Sequence, residues 1–181
     1  MENWQIFENN VTNFLNENFN ELDFTNTGDR DSTIPDIRVE ANNNELFIEA
    51  KYIPSQSGQI VVLMNNGQFE FSDKSKNTPS SYTYQIIDKL NEDYSTYATV
   101  AQSGMNIEID ENILFKWIEQ TYLDKNSKWI ISSKKHTDFT KEDLVFIPIN
   151  EMKDYFDVSI VLRRKKSGSA KVPASNQETV R

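Results

Sequence analysis

Two short alternating runs, Thr33 to Glu40 and Glu45 to Tyr52, are separated only by Ala41, Asn42, Asn43 and Asn44, which leaves the chain few ways to pair them. Asparagine tolerates the positive φ that tight primed turns require, so the runs predict a β-hairpin. With Asn42-Asn43 as a two-residue turn, Asp36 falls directly opposite Glu49, their Cβ atoms roughly 5 Å apart. That register places Pro35, Ile37, Val39, Leu46, Ile48 and Ala50 on one face and Asp36, Arg38, Glu49 and Lys51 on the other. A slip of one residue would mix the two sets, so the register and the residue pattern support each other.

The rest of the chain reads as helices and strands around this hairpin. Trp4, Phe7, Val11, Phe14, Leu15 and Phe19 recur at spacings of three and four, which predicts a helix over about residues 3 to 19. Asn26 to Gly28 then break the pattern. Gln59 to Met64 and Gln68 to Ser72 flank Asn66-Gly67, a second turn signal, although Ile60 to Met64 fits a short helix equally well. Helical patterns return at 81 to 97 and 110 to 123, and Trp129 to Ser132, Leu144 to Ile147 and Val158 to Leu162 read as strands. The expected fold is α/β, with helices packed on both faces of a central mixed sheet. With 181 residues, one domain over 1 to 166 is expected. Ser, Gly, Pro, Gln and Asn replace apolar residues from Ser167, so 167 to 181 read as a flexible basic segment. The twenty asparagines, dense in the first half, read as coding bias more than chemistry. No apolar run of about 18 residues and no basic-then-apolar N-terminus is present, so a cytoplasmic protein is expected.

Side-chain chemistry narrows the function. There is no cysteine, which removes thiolate metal sites and cysteine nucleophiles. His136 is the single histidine; it excludes a His-based zinc site and stands in a Lys-Lys-His stretch with no G-x-S-x-G nearby. A metal here must therefore be held by oxygen, as magnesium, manganese and calcium are. Two facing carboxylates, Asp36 and Glu49, repel unless a cation lies between them, and a hard divalent ion takes oxygen ligands at roughly 2.0 to 2.5 Å. Lys51 projects from the same face, where an ammonium can orient a water and stabilise negative charge in a transition state. Two acids and an amine around an oxygen-bound metal suit phosphodiester hydrolysis. An ordinary solvated hairpin face is the alternative, and the proline before Asp36 and Phe47-Ile48 before Glu49 weigh toward a sheet centre.

Pro35-Asp36 and Glu49-Ala50-Lys51 resemble the two-part motif of the PD-(D/E)xK nuclease superfamily, at the hairpin spacing typical of it. The resemblance implies Asp36 and Glu49 as magnesium ligands, the Ala50 carbonyl as a further ligand, and Lys51 positioning the attacking water; Mn2+ would substitute for Mg2+. The superfamily often carries a glutamate on the preceding helix, and Phe7-Glu8-Asn9-Asn10-Val11 looks like that element. Independently, at about 100° per residue Glu8 falls between Leu15 and Phe19 inside the apolar stripe, where a charge needs a partner. At the stripe's edge it would instead reach water. In related nucleases a polar residue shortly after the lysine often touches substrate, which makes Ser57 and Gln59 candidates; a plain polar loop is the simpler reading.

The net charge of −9 argues against a polyanion partner, but its distribution is uneven. From Arg163 onward six basic residues and one acid give +5, which leaves −14 on the preceding 162 residues. Two basic clusters follow strand-like runs: Lys134, Lys135 and His136, and Arg163, Arg164, Lys165 and Lys166 with Ser167 and Ser169. Such side chains supply phosphate and guanine contacts. The second cluster looks like a segment near the end of several type II restriction endonucleases; a solvated tail balancing an acidic body is the alternative. The resemblance implies a type II restriction endonuclease cutting double-stranded DNA, as a homodimer, with a cognate methyltransferase as a separate protein. A structure-selective repair, recombination or phage nuclease, or a non-catalytic DNA-binding module on the same fold, are the other readings.

Overall fold

A computed structural model describes residues 2–28, 33–42, 44–164 and 177–180. Among them the elements run α1 (Asn3–Asn18), β1 (Asp23–Asn26), β2 (Ile37–Ala41), β3 (Asn44–Tyr52), β4 (Ile60–Asn65), β5 (Gln68–Phe71), α2 (Ser81–Glu92), α3 (Tyr94–Tyr97), β6 (Met105–Asn106), α4 (Glu111–Leu123), β7 (Ser127–Ser133), β8 (Val145–Pro148), β9 (Val161–Arg164) and β10 (Gln177–Val180). They divide into two compact units, residues 1–57 with 121–155, and residues 58–120 with 156–181. No helix among the described residues is long and apolar enough to cross a membrane.

The first unit holds the hairpin. Its sheet has the order β1-β2-β3-β7-β8, with β3 parallel to β7 and the other neighbours antiparallel, so β3 is the central strand of a mixed sheet. Ile37 pairs with Ile48, Val39 with Leu46 and Ala41 with Asn44, the register the alternation predicts, and Asn42 carries the positive φ of the turn at 48°. The apolar face is where α1 packs: Phe7, Val11 and Leu15 join Ile37, Val39, Ile48, Ala50 and Ile131 in one buried cluster. Burying such side chains contributes about 1.5–3 kcal/mol each, which is what commits the hairpin to this face. Leu46, near the turn, is left 39% exposed, and Phe19 falls outside the helix as its C-cap, 45% exposed. On the opposite side of β3, Tyr122 from the last turn of α4 lies fully buried against Lys51.

The second unit is built on an antiparallel sheet of order β5-β4-β10-β9-β6. Ile60 to Met64 form strand β4, not a short helix; Asn66 (φ 50°) and Gly67 (φ 79°) make the tight turn to β5, and strand residues Ile60 and Val62 are buried. The predicted helix over 81 to 97 is interrupted at Asp93, whose carboxylate accepts from the Thr96 amide and starts a separate turn. The strand expected at Val158 to Leu162 begins only at Val161 and continues through Arg164. Gln177–Val180, read from sequence as part of a flexible segment, pair with β4 along their length and with β9 from Glu178 onward, because a gap between two strands offers ladder partners on both sides.

The asparagines have structural work beyond coding bias. In the first unit Asn16 donates through Nδ2 to the Phe24 carbonyl (2.8 Å) and accepts from the Phe24 amide (3.0 Å), closing one position of edge strand β1. In the second unit Asn91 does the same for Phe69 of edge strand β5, at 3.0 and 2.7 Å. An edge strand otherwise leaves such groups without a ladder partner. Asn126 holds a positive φ of 63° between α4 and β7.

Candidate active site

The start of β2 and the middle of β3 bring Asp36, Glu49 and Lys51 together in the first unit. The Asp36 backbone is held from β1's end: its carbonyl accepts from the amides of Thr27 (3.0 Å) and Gly28 (2.9 Å). Asp36 Oδ2 accepts from the Ala50 amide at 2.9 Å and from Lys51 Nζ at 2.7 Å. Lys51 Nζ is also 3.1 Å from Glu49 Oε2, so one ammonium bridges both acids. Glu49 is fully buried, a position a carboxylate tolerates only with partners. Its Oε2 also receives Lys125 Nζ, and its Oε1 the Ser127 hydroxyl, both at 3.1 Å. The aromatic ring of Tyr122 meets both ammonium groups, 5.6 Å from Lys51 Nζ and 5.5 Å from Lys125 Nζ.

Glu8 is buried on α1 among Phe7, Val11 and Thr12, inside the apolar stripe and not at its water-facing edge. Gly28 packs directly on its carboxylate: a β-carbon there would stand 2.6 Å from Oε2, so a larger residue would require the Glu8 side chain to shift. Burial first, then the charges of Asp36 and Glu49, push the Glu8 carboxyl up to about 8, against opposition from Lys51 and Lys125. For Lys51, burial works against the charge, but Asp36, Glu49 and Tyr122 outweigh it and hold the ammonium well above the usual lysine range. Burial is also the main reason the Tyr122 phenol is raised, so it stays protonated.

Among the described residues no three acids already enclose a point as a metal cage would; the cation between Asp36 and Glu49 is the Lys51 ammonium. The donor set still suits a hard ion. Its acids offer oxygen only, and burial and then charge repulsion disfavour ionised Glu8, a cost that a divalent cation would relieve.

The remaining sequence candidates lie in varied surroundings. Ser57, half-buried in the first unit, is a hydrogen-bond neighbour of Tyr122. Gln59, in the second unit, accepts at its backbone carbonyl from Asn77 Nδ2 (2.6 Å). Arg38, on the polar hairpin face, binds Glu40 (2.8 Å) and Glu45 (3.3 Å) and does not join the cluster. Lys134 is exposed, whereas Lys135 pairs with Asp143 at 2.8 Å. His136 is half-buried, its ring edge-on to Tyr52 at 5.2 Å. In the second unit Arg163 is exposed, while half-buried Arg164 donates to the Ala98 carbonyl at 3.2 Å. Lys165, Lys166, Ser167 and Ser169 lie outside the described residues. Sequence reasoning missed Tyr122, Lys125, Ser127 and Gly28. Lys125-Asn126-Ser127 carry no signal that separates them from a solvated turn; only the pairing of β7 beside β3 brings them to Glu49.

No protein-family model matches this chain, and no curated protein matches it by sequence. A solved structure of HhaI endonuclease in complex with DNA does match, with a TM-score of 0.80 and 34% sequence identity over 92% of this chain. The match spans 62% of the solved chain's length. The mixed α/β architecture is thus restriction-endonuclease-like.

Proposed function

We propose that this protein is a magnesium-dependent endonuclease that hydrolyses phosphodiester bonds of double-stranded DNA at a specific sequence. The observation that carries the reading is the convergence of Asp36, Glu49 and Lys51 at the centre of a buried sheet, with Glu8 beside them. Likeness to a DNA-bound endonuclease, at 34% identity, supports it independently. Asp36, Glu49 and the Ala50 carbonyl would hold the divalent ion, which when bound supplies Lewis acidity at the phosphate and lowers the pKa of water. Lys51, whose ammonium is held between the two carboxylates at 2.7 and 3.1 Å, would orient the attacking water and stabilise the charge that grows on the phosphate oxygens. Glu8 stands beside the group as a further carboxylate, which burial and the charges of Asp36 and Glu49 hold toward its protonated form in the metal-free protein. Exposed Lys134 and Arg163, with Lys165, Lys166, Ser167 and Ser169, supply phosphate contacts.

The test is incubation with a plasmid and a long linear duplex, with magnesium and with chelator. Discrete fragments that require the metal are expected; a smear or cutting confined to junctions would instead favour a structure-selective nuclease. Asp36→Ala should lose cleavage by at least roughly 10²- to 10³-fold while still retarding duplex DNA. Unchanged cleavage in that variant would overturn the assignment. Nicked plasmid accumulating before linear product would indicate one site acting twice; simultaneous cutting would indicate the homodimer.

A further inference from the structure

Glu49 has two lysine partners, and their situations differ. Lys51 Nζ is divided between Asp36 Oδ2 at 2.7 Å and Glu49 Oε2 at 3.1 Å. Lys125 Nζ is paired with Glu49 Oε2 at 3.1 Å, and its backbone is fixed by its amide's bond to the Tyr122 carbonyl at the end of α4. Ser127, two residues on, anchors the other oxygen of the same carboxylate. Both lysines lie against the buried Tyr122 ring, with their side chains 13% and 11% exposed. A buried carboxylate left without a counter-charge is strongly unfavourable. In the metal-free site, a Lys51 that was the single protein counter-charge of Glu49 could not leave it without that penalty.

We propose that Lys125 is a positioning residue: it serves as the standing counter-ion of Glu49, so that Lys51 can move to the reacting phosphate. This deepens the nuclease reading and rests on it for the catalytic consequence, but the ion pair itself can be judged separately. Replacing Lys125 by methionine keeps the stem and removes the charge. Among the described residues Lys51 then becomes the one protein cation at Glu49, and the proposal is that it is held there.

The experiment has two arms. In the first, Lys125→Met should lower kcat for duplex cleavage by roughly 10- to 100-fold with KM for DNA little changed. Lys125→Arg should recover most of that loss, and Lys128→Met, at an exposed position of β7, should behave as wild type. Direct Mn2+ titration should show affinity in Lys125→Met equal to or tighter than wild type, since a repelling charge has gone. Wild-type kcat in Lys125→Met, or a loss explained entirely by weaker Mn2+ binding, overturns the proposal. In the second arm, melting of the metal-free Lys125→Met, Glu49→Gln and double variants should be strongly non-additive. Additive losses overturn the ion pair, whatever the activity. Absence of cleavage by the wild type in every metal, alongside a non-additive cycle, would sink the nuclease reading and leave the counter-ion assignment standing.

Discussion

One hairpin carries two ion clusters built from the same kinds of residue. Near the turn, Arg38 binds Glu40 and Glu45 with side chains between 37% and 52% exposed; at the other end Lys51 binds Asp36 and Glu49, with side-chain exposures of 13%, 12% and 0%. Chemistry and register do not separate them. Burial does. An exposed pair is screened by water and contributes about 0–1 kcal/mol, while each buried charge must recover several kcal/mol of lost hydration from its neighbours. The buried cluster is therefore poised: any partner removed, or any cation added, changes the balance of the whole group.

The widest gap between the two clusters should appear in stability. Lys51→Met leaves Asp36 and Glu49 facing each other with less compensation, and a loss of about 3–5 kcal/mol is expected by chemical denaturation of the metal-free protein. A loss below about 1 kcal/mol would mean that water reaches the cluster and that the two ends of the hairpin are alike.

The next effect is a pH dependence. In the folded protein the Glu8 carboxyl is raised from its ordinary 4.5 to about 8, so between those values the folded state keeps a proton that the unfolded chain has released. Stability from this group is full below 4.5, falls as pH rises, and is gone above about 8. Melting of the metal-free protein should drop between pH 5 and pH 9 by an amount on the order of 4 kcal/mol, and Glu8→Gln should flatten that slope. Parallel curves for the two proteins would show that Glu8 is not the group responsible.

The smallest effect belongs to the exposed end. Arg38→Met should change stability by less than about 0.5 kcal/mol, with no effect on cleavage. A large loss there would erase the contrast drawn between the clusters.

These contrasts mark how far the chain could be read from its residues. The hairpin register was legible because a one-residue slip would have turned Ile37, Val39 and Ile48 to the wrong face, and an asparagine was available for the turn. Glu8 was legible as a charge within a helical stripe. The basic clusters were legible only as charge: Lys135 pairs with Asp143 and Arg164 donates to the Ala98 carbonyl, and nothing in a run of cations shows such partners. The tail's strand was hidden too, since Gln177 to Val180 become a strand only where β4 and β9 leave them a slot.

Alternation, a turn residue and a helical stripe act over a few neighbouring positions, and they suffice to bring Asp36, Glu49 and Lys51 to one point and to bury Glu8 on the helix above the sheet. The answer to Glu49's charge came from 76 residues away, when β7 paired in parallel with β3 and carried Lys125 and Ser127 alongside. That pairing is driven by apolar strand faces sharing one core with α1. A charge buried on the other face of that sheet is set by whatever the packing places around it, and that environment exists only once the chain has folded.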